Sequence, residues 1–284
     1  MILKKIIRHK LLSLINEGFD PTGLPDNKYY AFDWDDNVMN MPTKILVLDK
    51  EGNEVGMSTD DFAEHRLQIG KEPFIYDGHN IVSFADNPFR NFRGEGEKQF
   101  LIDVMSAGFG PSWNDFVECI NGGSIFSIIT ARGHNPNILK NGVLKLIKND
   151  VGGIDQEKLV ESLKQYRDLS GEEIKDDMSL IQDYLDMCKF YPVSFGEGSA
   201  LNPEEGKIKA LKEFITYVQN LAKEIGGKVL FKNDIKNNFV IPSIGFSDDD
   251  ERNVEKIKDF LNKEFGKESP VQTYLTKANV KTRY

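Results

Sequence analysis

Two aspartates on alternate residues, Asp33 and Asp35, close the apolar run Tyr29-Tyr30-Ala31-Phe32, and Asp36 and Asn37 follow almost at once. A buried strand that ends in carboxylates places charge at the carboxyl edge of a sheet, where open α/β folds bind ligands. Anions packed that closely repel one another in a low-dielectric cleft. A hard cation with a preference for oxygen ligands, Mg²⁺ first among them, relieves the repulsion. A solvated Asp-rich turn after a strand has the same appearance, so the segment gains weight only from what accompanies it.

Three further segments accompany it, in order. Residues 124–133 are a short apolar strand ending at Thr130, followed by Arg132 and Gly133. Residues 204–215 read as an amphipathic helix with Lys207 in its first turn and Lys209 and Lys212 beyond. Residues 240–254 are a second apolar run ending in acids, Asp248-Asp249-Asp250, with Asn253 opening the next helix. Each has a plain structural reading: a strand-terminal Thr without a ligand, a solvated lysine face, an Asp-rich helix cap.

Together the four segments resemble the motifs of the haloacid dehalogenase superfamily, most of whose members are Mg²⁺-dependent phosphatases. The likeness covers roughly residues 28–58, 98–150 and 189–280. It implies Asp33 as nucleophile, forming an aspartyl-phosphate, and Asp35 as general acid and then base, its backbone carbonyl reaching the metal. It implies Thr130 as a hydrogen-bond partner of the phosphoryl group and Lys207 as the neutralising cation. Asp249 and Asp248 would complete a metal site with Asp33 and Asp35, although any pair of Asp248, Asp249 and Asp250 fits the pattern. Lys207 is preferred over Lys209 because it opens its helix. Arg132 and Asn37 are candidate substrate contacts; His134 reads as a loop residue. Asp36 and Asn37 depart from the family, which often has Gly and Thr there, and this leaves the loop geometry open.

These groups must be positioned by a scaffold, and alternating strands and helices indicate a three-layer α/β/α sandwich on a mainly parallel, Rossmann-like sheet. The core takes residues 28–42, 98–150 and 189–284. Residues 43–97 split into a β-hairpin around a Gly-containing turn at 49–53, read as a flap, and a loop-rich small cap. Helices are expected over 99–107, 112–120, 135–148, 158–166, 172–187 and 253–265, with 151–188 a helical insertion. Strands are expected at 190–195, where Pro192 favours an edge, and at 272–276. Residues 1–27 form a basic amphipathic helix, within 1–16, and a loop.

With 39% hydrophobic and 29% charged residues the chain has the composition of an ordinary globular protein. A net charge of −9 argues against a broad nucleic-acid footprint without excluding a local basic groove. Two cysteines, Cys119 and Cys188, imply no disulfide framework and suit a reducing cytoplasm. No stretch is apolar enough to span a membrane; a basic amphipathic helix at 1–16 can lie on a membrane surface, but packing on the domain or docking a protein partner is the preferred reading. The leading expectation is a Mg²⁺-dependent phosphomonoester hydrolase acting on a small phosphorylated metabolite or nucleotide. The alternative is a non-catalytic structural or assembly protein of the same fold, docking a partner through 1–16. The stretch from Asp33 to Thr43 also resembles proteins of large tailed bacteriophages, which would put the protein in a host cytoplasm or a virion.

Overall fold

The structure, a computed structural model, describes residues 28–168, 176–196, 202–230, 243–266, 269, 271–277 and 280–284. The expected amphipathic helix within 1–16 lies outside the described residues. In chain order the strands are β1 (Lys28–Phe32), β2 (Met39–Asn40), β3 (Ile45–Asp49), β4 (Glu54–Met57), β5 (Phe74–Tyr76), β6 (His79–Phe84), β7 (Gly108–Phe109), β8 (Phe126–Thr130), β9 (Lys189–Pro192), β10 (Ser243–Asp248), β11 (Val271–Lys277) and β12 (Val280–Arg283). The α-helices are α1 (Thr59–His65), α2 (Glu97–Ser106), α3 (Trp113–Asn121), α4 (Pro136–Lys148), α5 (Gln156–Asp168), α6 (Asp177–Met187), α7 (Pro203–Leu230) and α8 (Glu251–Phe265).

All five residues of β8, Phe126-Ser127-Ile128-Ile129-Thr130, are buried, the signature of an interior strand of a parallel sheet covered on both faces. Among the described residues that sheet has six strands in the order β12–β11–β10–β1–β8–β9. Every pairing is parallel except the last hairpin, where β12 runs antiparallel to β11. The strands carrying Asp33, Thr130 and Asp248 at their ends are therefore neighbours pointing the same way, as the motif order predicts. Pro192 lies in the edge strand β9, where a missing N–H costs no ladder bond.

Successive strand residues face opposite sides, and β1 divides its aromatic content accordingly. Tyr30 and Phe32 pack with Trp34, Phe116 and Phe126 into a cluster completed by α2 to α6. Tyr29 and Ala31 pack with Phe214, Phe246 and Ile257 into a second cluster completed by α7 and α8. The aromatic network at Phe116 is dense: its ring meets Phe32 edge-on at 5.6 Å and Phe126 at 5.5 Å.

The hairpin and the segment expected as a separate small cap are one unit. β4–β3–β6–β5 form a four-stranded antiparallel sheet, with β3 paired to both β4 and β6. Its own core draws on both parts, with Val47, Val55 and Met57 from the hairpin and Ile69 and Ile81 from beyond it. α1 belongs to this unit, has no buried residue, and is capped by Ser58, whose Oγ accepts the Asp61 N–H at 3.1 Å.

Several bounds differ from the expectation. α8 starts at Glu251 rather than 253 because Asp250 is its cap, accepting the Arg252 N–H at 3.0 Å. α6 starts at Asp177, capped by Asp176, and β9 stops at Pro192, where Phe195 N–H turns back to its carbonyl at 3.0 Å. β12 and the two-residue pair β2–β7 were not foreseen. Among the described residues no helix is long and apolar enough to cross a membrane.

Candidate active site

The parallel ladder between β1 and β10 continues one step past the strand, Asp33 N–H bonding Ser247 carbonyl at 2.9 Å. This sets the Asp33 side chain beside Asp248, at the carboxyl ends of adjacent strands. α7 brings the cation. It opens Asn202-Pro203, with Asn202 Oδ1 accepting the Glu205 N–H at 2.8 Å and Pro203 in the first turn, where its missing N–H is harmless. A Cβ on Gly206 would stand 2.8 Å from Val193 Cβ, so glycine lets the helix start approach the chain leaving β9. The next residue, Lys207, reaches both acids: Nζ lies 2.9 Å from Asp33 Oδ2 and 2.7 Å from Asp248 Oδ2. Lys209 and Lys212 are exposed.

The oxygens of Asp33, Asp248 and Asp249 lie within 4.8 Å of one another. Asp248 is oriented by Asn253 Nδ2 at 2.9 Å and the Asp250 N–H at 3.0 Å, both on Oδ1. Asp250 itself is turned away as the α8 cap, paired with Arg252 at 3.0 Å, so the structure selects Asp248 and Asp249 from the three. Three carboxylates face one ammonium. Burial pushes the Asp33 carboxyl up to about 7, against the pull of Lys207 and with Asp248 adding to the rise. Burial likewise raises Asp249 well above its ordinary value, reinforced by Asp248 and Asp33. Burial pulls the Lys207 ammonium down, but Asp248 and Asp33 outweigh it and the net shift is upward. An all-oxygen donor set with surplus negative charge fits a metal ion.

Asp35 is held elsewhere. Its carboxylate is not in that group; it is gripped by Arg132, Nε to Oδ2 at 2.9 Å and Nη2 to Oδ1 at 2.7 Å. Thr130 Oγ1 is 3.5 Å from Asp35 Oδ2 and accepts the Arg132 N–H at 3.3 Å. Arg132, expected at the substrate, is 1% exposed and lies over the rings of Phe92 and Phe100, 4.7 and 5.1 Å from their centroids. His134 is fully buried, and burial lowers its pKa to about 4, with Arg132 adding to the fall.

Asn37, the other expected substrate contact, is spent inside the fold. Its Nδ2 meets the Asp33 carbonyl at 3.1 Å, the Ser247 carbonyl at 3.1 Å and Ser247 Oγ at 3.0 Å. Its Oδ1 accepts the hydroxyls of Ser112 and Thr276, each at 2.8 Å. No side-chain donor or acceptor is left to face a ligand, and Asn37 serves as the bolt that joins the β1, β10 and β11 ends. Asp36, before it, sits at φ 54°, the left-handed region that Gly takes without strain and Asp tolerates. Ser112, Ser247, Thr276 and Thr43 carried no sequence signal, since their partners are far along the chain.

An open cavity of about 490 Å³ lies against Asp249. Its lining includes Asp249 to Arg252 and, from α1, Asp60, Ala63 and Glu64. α1 is fastened to the core by two polar contacts, the Thr59 hydroxyl on Asp36 and Arg66 on Glu204 at 3.2 Å. Comparison of the chain with protein-family models, curated proteins and solved structures finds no match.

Proposed function

We propose that the protein is a Mg²⁺-dependent phosphomonoester hydrolase working through an aspartyl-phosphate on Asp33. The observation that carries this reading is the Lys207 ammonium between Asp33 and Asp248, with Asp249 beside them, at the carboxyl ends of neighbouring parallel strands. In this reading an Asp33 oxygen bonds to phosphorus as the bond to the leaving oxygen breaks, and Asp35 gives that oxygen its proton. Water then attacks the phosphorus, Asp35 takes the water's proton, and Asp33 leaves as a carboxylate. Lys207 balances charge on Asp33 and on the transferring group throughout. Bound Mg²⁺, held by Asp33, Asp248 and Asp249 with the Asp35 carbonyl, would supply further neutralisation of the phosphoryl oxygens. In this reading Thr130 hydrogen-bonds the transferring group. Asp35 must free one oxygen from the Arg132 fork to serve as acid.

The helices on the two sheet faces then form the outer layers of a three-layer sandwich. Residues 43–97 act as flap and cap over the cavity, and residues 151–188 are a helical insertion. The substrate is a small phosphorylated metabolite or nucleotide, and the compartment is the cytoplasm. The test is hydrolysis of 4-nitrophenyl phosphate in Mg²⁺ by the full chain. Chelation should abolish turnover, and Asp33→Asn should lower kcat by more than about a thousandfold with the fold intact. Equal turnover in wild type and Asp33→Asn sinks the reading.

A further inference from the structure

We infer that Thr43 and Asp103 are positioning residues for Asp35, acting through Arg132; the inference rests on the phosphatase reading for its kinetic consequences. The geometry is a single buried chain. Arg132 Nη2, which holds Asp35 Oδ1 at 2.7 Å, also donates to Thr43 Oγ1 at 2.9 Å. The Thr43 hydroxyl donates onward to Asp103 Oδ2 at 3.1 Å, and Asp103 Oδ1 accepts Gln99 Nε2 at 2.7 Å. Arg132, Thr43 and Asp103 are all buried. Each link fixes the direction of the next. Asp103 on α2 orients the Thr43 hydroxyl so that its lone pairs face the guanidinium, and that contact sets the rotation of the fork on Asp35.

Thr43 has a place in the fold that gives this chain a purpose beyond packing. It stands between β2 and β3, at the root of the four-stranded unit whose helix α1 walls the cavity. Asp35 is thereby tied to the root of the unit that walls the cavity. A bidentate grip also fixes carboxylate direction more tightly than one hydrogen bond does, and a catalytic group misplaced by about 1 Å can cost a hundredfold in rate. A hydroxyl is the only group Thr43 contributes to the chain, so the serine variant keeps the link and the valine variant removes it at nearly constant volume.

The experiment compares Thr43→Val, Thr43→Ser and Asp103→Asn with wild type on 4-nitrophenyl phosphate, and solves crystal structures of both Thr43 variants. Thr43→Val and Asp103→Asn should lower kcat roughly tenfold or more with KM within about twofold, and Thr43→Ser should recover most of the rate. In the Thr43→Val crystal the guanidinium and the Asp35 carboxylate should be rotated from their wild-type positions; in Thr43→Ser they should be unmoved. Wild-type kcat in Thr43→Val, or an equal loss in the valine and serine variants, overturns the inference while Asp33→Asn still reports separately on the phosphatase reading. An unmoved Asp35 in the Thr43→Val crystal overturns it whether or not the protein turns out to hydrolyse phosphate.

Discussion

Asp33 ionises in the unfolded chain near 3.8, and burial in the native protein pushes it up to about 7 despite Lys207. Between those values the native state binds the extra proton, so this group's contribution to stability falls as pH rises through the window. Asp36, raised by burial to about 6 with Asp35 and Asp60 adding and Thr59 opposing, acts in the same direction. His134 acts in the opposite one: buried neutral, with its pKa lowered to about 4 from 6.5, it favours the native state more as pH climbs between them. Raw stability curves therefore mix signs, and a difference is the cleaner measurement. In chelator, the Tm of Asp33→Asn should gain on wild type from pH about 4 to about 7, because the amide has no charge to bury. Mg²⁺ should erase the gain. A Tm difference that stays flat with pH would show that Asp33 is not strained by burial. Lys207 gives the converse case. Lys207→Met leaves two buried carboxylates without their cation, at a cost of about 3–5 kcal/mol in chelator. Added Mg²⁺ should restore part of it in denaturant titrations.

At the scale of elements, β1 is clamped between two clusters, and Phe116 on α3 is the ring on which the larger cluster turns. Phe116 is fully buried against Phe32, Trp34, Trp113 and Phe126. Phe116→Ala should cost about 3–5 kcal/mol by chemical denaturation, from lost burial plus the cavity left behind. The strands were legible where an apolar run met an abrupt polar stop. Such were β1 before Asp33, β8 before Arg132 and β10 before Asp249, and Pro192 announced the edge. The same rule passed over β2 and β7, whose two residues each pair only because Asn37 and Gly110 bring their segments together; Gly110 N–H bonds Val38 carbonyl at 2.9 Å. Motif spacing pointed to Asp33, Lys207, Asp248 and Asp249, which the fold brings together, since each sits at a strand end or helix start. It assigned Asn37 and Arg132 to a ligand because residue type does not reveal which way a side chain turns. Asn37 bonds Thr276 across 239 residues, a relation no local pattern carries. The link from Thr43 to Asp103 spans 60 residues and was hidden for the same reason.

For the molecule as a whole, the net charge of −9 is repeated at the cavity, where Asp36, Asp60, Glu64, Asp250 and Glu251 join Asp249 on the walls. Two basic residues, Arg252 and Lys277, stand against those six acids, and Arg252 is paired with Asp250. A field of that sign slows the approach of polyanions and does so less as salt screens it. If the phosphatase reading holds, kcat/KM for a monoanionic or neutral leaving group should exceed that for a phosphate-terminated oligonucleotide, and the ratio should shrink between low and high salt. A ratio that ignores salt would remove charge as the cause.

The bolt at Asn37 also has a consequence for the order of folding. It joins positions 210 residues apart and the β1–β10 ladder pairs positions 215 apart, and contacts of that span form late because loop closure must precede them. While the chain is being made, β1 can find β8 once residue 130 has emerged, yet its other edge waits for residues 243–248. Until then an aromatic strand with an unpaired edge is open to pairing with other chains. The strand that brings Asp248 and Asp249 to Asp33 is thus also the one that closes this edge, so a chain without its final segment would carry Asp33, an unpaired aromatic edge and no acidic cluster.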